Sequence, residues 1–350
     1  MRENAPEETE VRKLQVTGGS TYVLSLPKKW ATQMGLRKGS KLTLVRQNDG
    51  SLLVTPEELK KLEKPAEAII EVAPTDDPDS IIRKLVSTYL VGYNVIFIRT
   101  KNQRLDSAKR NAIKNFTRRM LVGTEIIADS PKELIMKVLL SYPELSVQSA
   151  LRRMCIITSS MHKDAIIALK KLDGELARDV IAMDDEVDRF GLYIIRQLKA
   201  AVQDEKIIKE IGLSSGRDCL GYRLTTKAVE RTADHAVVIA ENVLMLKRPL
   251  ETELFEQIDS MSASAISVFN EAIESLFKRD FQLANNTVQK AKQVALSEKE
   301  LVKPILKRTD VGEVSSLSLI IESIRRAAEY ASDIAEIVLN LTVHQIITTQ

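Results

Sequence analysis

The stretches "KAVERTADHAVVIAENV" (227–243) and "SIRRAAEYASDIAEIVLN" (323–340) decide the fold. Both place apolar residues at helical spacing, and both contain nearly the same closing run, "IAENVL" at 239–244 and "IAEIVL" at 334–339, after a carboxylate-rich turn. A recurrence of this kind between two long helices points to a tandem pair of three-helix bundles. Outward from these stretches the pattern is helical from about Ser146 onward. Breaks near Asp173 and Gly174, at 204–216, at 247–251, at Asp280 and at 303–313 delimit six helices in two sets of three.

The composition agrees. Hydrophobic residues make up 44% of the 350 residues but aromatic ones only 4%, with 13 Gly and 10 Pro, so the apolar mass is Leu, Ile, Val and Ala, which suits long helices. The fold class expected is mainly α, with a small N-terminal β-rich domain, a small α/β middle unit and two tandem three-helix bundles. The domain boundaries expected are 1–60, 61–145, 146–247 and 248–350.

The N-terminal part reads differently. Residues 12–17 and 21–26 are β-prone runs joined by Gly18, Gly19 and Ser20, a hairpin. A short helix from Pro27 to Met34 ends at Gly35, a left-handed cap. "KLTLVRQ" and "SLLVT" flank Asn48, Asp49 and Gly50, a second hairpin. So small a domain buries too little apolar surface alone and is expected to dimerise. The charged run 57–66 reads as a linker, followed by strands at 69–72, "NVIFIRT" and "TEIIAD" with helices between them. Ser130 to Glu133 has capping-box spacing, yet "ELIMKVLL" suits a strand equally, so both readings stand.

Charge is distributed unevenly. The chain holds 51 Lys and Arg against 48 Asp and Glu, but Val11–Arg46 has eight cations and no acid. Their mutual repulsion would be relieved by a polyanion; the alternative is a solvated basic face. A second cluster, Arg99, Lys101, Arg104, Lys109, Arg110, Lys114, Arg118 and Arg119, would extend a nucleic-acid path, cradle another anion, or form a solvated helix face. Among the carboxylates, Glu230, Asp234 and Glu241 fall within about 40° on a helix, and Glu322, Glu329, Asp333 and Glu336 form a similar stripe. Asp184 and Asp188 form a third pair, bordering an apolar face. Like charges at i, i+4 destabilise a helix, so these stripes are either a solubilising face or a site where a cation offsets the repulsion. His235 adjoins Asp234 but diverges from it by about 100°, which implies a surface role.

Several classes are excluded. Cys155 and Cys219 lack zinc spacing and read as buried free thiols. "MRENAPEETE" does not form a signal peptide, and no apolar run of about eighteen residues exists to span a bilayer, so the expectation is a cytoplasmic chain without an integral membrane segment. No P-loop, His-Glu-x-x-His or Gly-x-Ser-x-Gly occurs and the three histidines are far apart, so the chain is expected not to be an enzyme.

Two resemblances sharpen these expectations. "RKL", "GGSTYVLSLPKKW", "GLRKGSKL" and "NDGSLLVTP" resemble the swapped-hairpin DNA-binding domain of the AbrB, SpoVT and MazE group. That implies an intertwined homodimer contacting DNA through Arg12, Lys13, Ser20, Lys28, Lys29, Arg37, Lys38 and Lys41; Ser40 stands where many relatives carry Asp. "VIAMDDEVDRFGLYIIRQLKAAV", "KAVERTADHAVVIAENV" and "SIRRAAEYASDIAEIVLN" resemble helices of the PhoU phosphate-signalling proteins, in particular the archaeal branch that carries an AbrB-like domain in front. This resemblance implies surface metal sites, with Asp184, Asp188, Glu230 and Asp234 as candidates in the first bundle and Glu329 and Asp333 in the second. The all-oxygen set suits Mg, Mn, Ca or Fe, with Zn also considered. "FQLANNTVQKAKQVAL" offers no acid, which counts against a second metal cluster. Together the resemblances imply a transcriptional regulator of phosphate uptake that binds DNA and senses through its bundles. The rival expectation is an adaptor that dimerises through its first domain and docks on phosphate transporter components or a sensor kinase.

Overall fold

In the computed structural model, residues 9–46, 50–57, 67–101, 103–140 and 144–347 are described. The chain divides into two compact units at Pro65/Ala66. The linker expected at 57–66 and the turn residues Asn48 and Asp49 lie almost wholly outside the described residues.

The first unit contains two antiparallel hairpins. Strands β1 (Gln15–Thr17) and β2 (Thr21–Val23) pair across the Gly18–Gly19 turn, and β3 (Leu42–Arg46) pairs with β4 (Leu52–Pro56). Helix α1 (Lys28–Gln33) lies between them in sequence, and Gly35 follows it at φ 66°, as the capping argument requires. Among its described residues only Pro56 is buried. Large apolar side chains stand in solvent, including Val11 at 93% exposure, Tyr22 at 70% and Leu44 at 64%.

The second unit starts with a four-stranded sheet in the order β5-β6-β8-β7, where β5 is Glu67–Glu71, β6 Val95–Arg99, β7 Thr124–Asp129 and β8 Glu133–Val138. Strands β5 and β6 are parallel, with α2 (Pro78–Val91) as the crossover; β8 pairs antiparallel with both β6 and β7. The alternatives left open at 130–138 resolve as a strand: the Ser130 hydroxyl accepts from the Glu133 N–H, but in a β-turn between β7 and β8. Helix α2 opens on Asp77, whose carboxylate accepts from the Ser80 N–H at 2.8 Å, with Pro78 in the first turn. Together with α3 (Ser107–Met120) it packs on the sheet, and both helices also contact the bundle helix α5.

The bundles follow. The first contains α4 (Val147–Lys171), α5 (Gly174–Gln203) and α7 (Gly216–Met245); the second contains α8 (Thr252–Lys278), α9 (Phe281–Leu306) and α10 (Val311–Thr342). The break expected at 204–216 is not wholly irregular, for it holds a short helix α6 (Glu205–Glu210) capped by Asp204. The repeat extends to the hairpins. Leu172 and Arg279, both non-glycine residues at φ 52°, close α4 and α8, and each is followed by an aspartate, Asp173 or Asp280, that caps the next helix. One hydrophobic core runs through both bundles, with α7 packed on α10. Gly221 permits the approach, since a Cβ there would stand 2.8 Å from Leu341 Cδ1.

Buried polar groups hold the layers in register. His162 Nε2 pairs with Ser262 Oγ at 2.9 Å between α4 and α8, and burial pushes its imidazole down to about 4, so it is neutral. His235 does not have the surface role expected from sequence: its Nδ1 lies 3.1 Å from Ser323 Oγ between α7 and α10, beside the Tyr330 ring. Arg196 on α5, buried, donates to the carbonyls of Tyr89 and Gly92 and, at 2.7 Å, to Asn94 Oδ1, and its guanidinium lies over the Tyr89 ring. That side chain satisfies the carbonyls left over at the C-terminal end of α2.

Replacing Arg196 with Met keeps the volume but removes the donor to Gly92 O and Asn94 Oδ1, while the Tyr89 carbonyl keeps only the Gly92 N–H. Arg196→Met is expected to cost about 2–3 kcal/mol in urea unfolding. Amide exchange should quicken in α2 and β6, while exchange in α8–α10 stays unchanged.

Candidate functional site

Four carboxylates gather on the first bundle because two helices carry them at one-turn spacing and pack together. Asp184 and Asp188 lie on α5, and Glu230 and Asp234 on α7. The helices approach closely near Gly191, where a Cβ would stand 4.0 Å from Glu230 Oε2. Asp184 and Asp188 are half-buried, as their border position on the apolar face implied; Asp234 stands at the exposed rim. Burial pushes the Asp184 carboxyl up to about 6, helped by the charges of Asp234 and Glu230. Asp188 is also pushed up to about 6, by burial first and then by Asp184, Glu230 and Asp234. Asp234 is raised too, by burial and then by Glu230. Lys227 pairs with Glu230 one turn away, while Asp184, Asp188 and Asp234 enter no ion pair among the described residues. The buried Asp184 Oδ1 has no hydrogen-bond partner.

In the side-chain positions seen, no three His, Cys, Asp or Glu among the described residues form a group that could hold a metal ion. The cluster has the charge, the donor type and an unsatisfied oxygen for a hard cation, but the carboxylates have not converged on one point.

The second bundle's candidates are not brought together in the same way. Glu329 is engaged by Arg325 and Arg326, and Asp333, raised by partial burial and by Glu336 and Glu329, stands exposed. Both arginines reach Glu329 within their own helix, at i, i+4 and i, i+3, and Arg325 also reaches Glu298 on α9, which spacing along α10 does not show.

The basic residues separate into two groups. In the first unit, Ser20 lies in the β1–β2 turn, Lys28 and Lys29 start α1, and Arg37, Lys38 and Lys41 lie in the connection to β3, where the Arg37 N–H donates to Ser40 Oγ at 3.0 Å. Arg12 pairs with Glu10, just outside the acid-free run. Half of the second cluster enters ion pairs, three with carboxylates of the α/β layer and one with the bundle helix α5. Arg110 and Lys114 both pair with Asp129, Lys101 with Glu71 and Arg119 with Asp185, and Lys109 donates to the Pro74 carbonyl at 2.7 Å.

The raised carboxyls set a pH dependence. A carboxyl whose folded pKa lies above its unfolded value binds its proton more tightly when folded, so stability falls as pH rises from about 4 through 6. Without added divalent cation, Asp188→Asn is expected to gain roughly 1 kcal/mol at pH 8, after discount for solvent screening. At pH 4 it should gain nothing; thermal unfolding at the two pH values measures the difference.

Comparison with known proteins places both units. Residues 151–243 and 258–338 match the PhoU domain, and residues 15–61 match the antidote-toxin recognition MazE, bacterial antitoxin family. The chain is 22% identical over 200 residues to the phosphate-specific transport system accessory protein PhoU homolog 1 of Thermotoga maritima, an alignment covering 55% of this chain and 84% of that protein. Its fold is shared with the phosphate transport system regulatory protein PhoU of Streptococcus pneumoniae at a TM-score of 0.50 and 20% identity, over 58% of this chain and 96% of that one. PhoU from Pseudomonas aeruginosa superposes at 0.49 with 21% identity, over 57% and 96%. With paired bundles that match the PhoU domain and a hairpin unit that matches MazE, the chain belongs to the PhoU family and carries a MazE/AbrB-like domain ahead of its bundles.

Proposed function

We propose that this protein is a regulator of phosphate uptake that binds duplex DNA as a homodimer through its first unit, with the helical bundles as a cation-dependent sensing module. The observation that carries this reading is the open first unit. Its apolar side chains stand in solvent while its basic residues crowd the same small body. A second copy would cover the apolar face and double the positive charge, leaving a basic surface for phosphates. In the bundles, Asp184, Asp188, Glu230 and Asp234 would turn onto one hard cation such as Mg²⁺, Mn²⁺, Ca²⁺ or Fe³⁺, with Zn²⁺ a poorer match to oxygen donors. The cation would supply the positive charge that these four acids lack, and the orphaned Asp184 oxygen would gain its partner. Effector binding on α5 would reach the α/β layer through Arg196 and the Arg119 to Asp185 pair, both anchored on that helix.

A second reading follows from the name of the Thermotoga relative, a transport system accessory protein: an adaptor, with no catalytic role, that docks on a phosphate transporter or its sensor kinase.

Titration of the full chain with duplex DNA at several salt concentrations separates the two. DNA binding should weaken steeply with salt, and the triple variant Arg12→Ala, Lys13→Ala, Lys28→Ala should bind less tightly, with a slope shallower by roughly 0.9 for each phosphate that the variant no longer neutralises. Tyr22→Asp should shift the chain from dimer to monomer in sedimentation. Unaltered DNA binding in the triple variant would shift the weight to the adaptor. Elemental analysis after Mn²⁺ loading tests the sensing module, with occupancy expected to vanish in Asp188→Asn, Glu230→Gln. Coupling is reciprocal, so DNA must change Mn²⁺ affinity by the factor by which Mn²⁺ changes DNA affinity.

A further inference from the structure

The two bundles align residue by residue when their matching landmarks are set together, Asp173 on Asp280 at the hairpins and 239–244 on 334–339 in the last helices. In that register the acidic cluster of the first bundle has a counterpart in which the charges at two last-helix positions are inverted. On the last helices, Lys227 aligns with Glu322, Glu230 with Arg325 and Asp234 with Glu329. On the middle helices, Asp184 and Asp188 align with Ala291 and Ala295, and Gly191 with Glu298.

The contacts follow the inversion. In the first bundle Glu230 lies over Gly191, which leaves room beside its carboxylate. In the second bundle the aligned pair is filled and bonded: Arg325 Nε lies 2.9 Å from Glu298 Oε2. The same guanidinium pairs with Glu329 and lies 3.8 Å from Glu322, so one cation on α10 serves one carboxylate from α9 and two from its own helix. Arg325 is itself largely buried, at 19% side-chain exposure, and a planar guanidinium that never loses its proton is suited to a fixed, many-partnered charge. Arg326 adds a second contact to Glu329 at 3.2 Å.

We propose that Arg325 is a built-in counter-ion which takes, in the second bundle, the place of the soluble cation that the first bundle's acidic cluster recruits. The group of Glu298, Glu322 and Glu329 then always has its cation, and the response to cation concentration arises from the first bundle's cluster. This inference rests on the reading of Asp184, Asp188, Glu230 and Asp234 as a cation site, but the two stand or fall on different proteins in the following experiment.

The probe is Mn²⁺, with bound and free ion distinguished by electron paramagnetic resonance on the full chain. The wild type should bind about one equivalent and Asp188→Asn, Glu230→Gln none. Adding Arg325→Gln to that double variant leaves Glu298, Glu322 and Glu329 without their cation. The triple variant should regain about one equivalent. If the triple variant binds no more Mn²⁺ than the double variant, the proposal is overturned, whatever the wild type does. If the wild type binds none while the triple variant binds one, the cation reading of the first cluster is lost and the assignment of Arg325 stands. Should Arg325→Gln unfold the chain, Glu322→Gln, Glu329→Gln in the same background must restore folding by circular dichroism. Failure to do so would mean that Arg325 acts by packing rather than by charge, which also rejects the proposal.

Discussion

The packing of α7 against α10 is the contact on which the second unit depends, because it makes one core out of two bundles neither of which covers its own apolar face. Gly221 lets the helices approach, and Leu341 and Ile337 fill the space that a side chain would take. Polar contacts join the bundles at two places, His235 with Ser323 between α7 and α10, and His162 Nε2 with Ser262 between α4 and α8. Since unpaired polar groups are costly at such depth, these bonds fix how one bundle meets the other. Each bundle then presents its remaining acidic helix faces outward, where charge rather than packing decides what they do.

The two acidic faces solve the same electrostatic problem in different ways. Half-buried carboxylates one turn apart repel, and a helix can relieve them by taking up protons, by holding a soluble cation or by placing a fixed cation among them. The first bundle has no fixed cation within the group beyond Lys227, and its aspartates are raised toward neutrality. The second has Arg325 at the centre of Glu298, Glu322 and Glu329. A duplicated fold thus carries one face whose aspartates lack a fixed cation and one with an arginine set among its carboxylates. The α/β layer is tied to the first of these, since Arg196 and Asp185 both lie on α5, which also carries Asp184 and Asp188.

The first unit has the opposite character. Its hairpins close locally, by glycine turns and ladder bonds that need nothing beyond the segment itself. Among its described residues many large apolar side chains stand in solvent, and in water that surface is a standing driving force for association. Local structure is complete while burial is not.

Much of this was legible in the sequence, and the limits of legibility have a physical pattern. Helical periodicity, the capping aspartates at 173 and 280, the glycine turn at 18–19 and the recurrence at 239–244 and 334–339 all act over a few residues, so the chain's own spacing determined the two hairpins, the six long helices and their grouping in threes. The stripe positions of Asp184, Asp188, Glu230 and Asp234 were likewise fixed by 100° per residue. Three things were decided only by the tertiary structure. Residues 133–138 became a strand because β6 and β7 were there to pair with it, where the local run suited helix and strand alike. His235 became an interface residue because α10 packs over it. Arg325, besides its own-helix contacts to Glu322 and Glu329, gained Glu298 on another helix as a partner. Backbone conformation is specified by near neighbours in the chain, whereas the partner of a charge is whatever the packing of separate helices brings within a few ångströms.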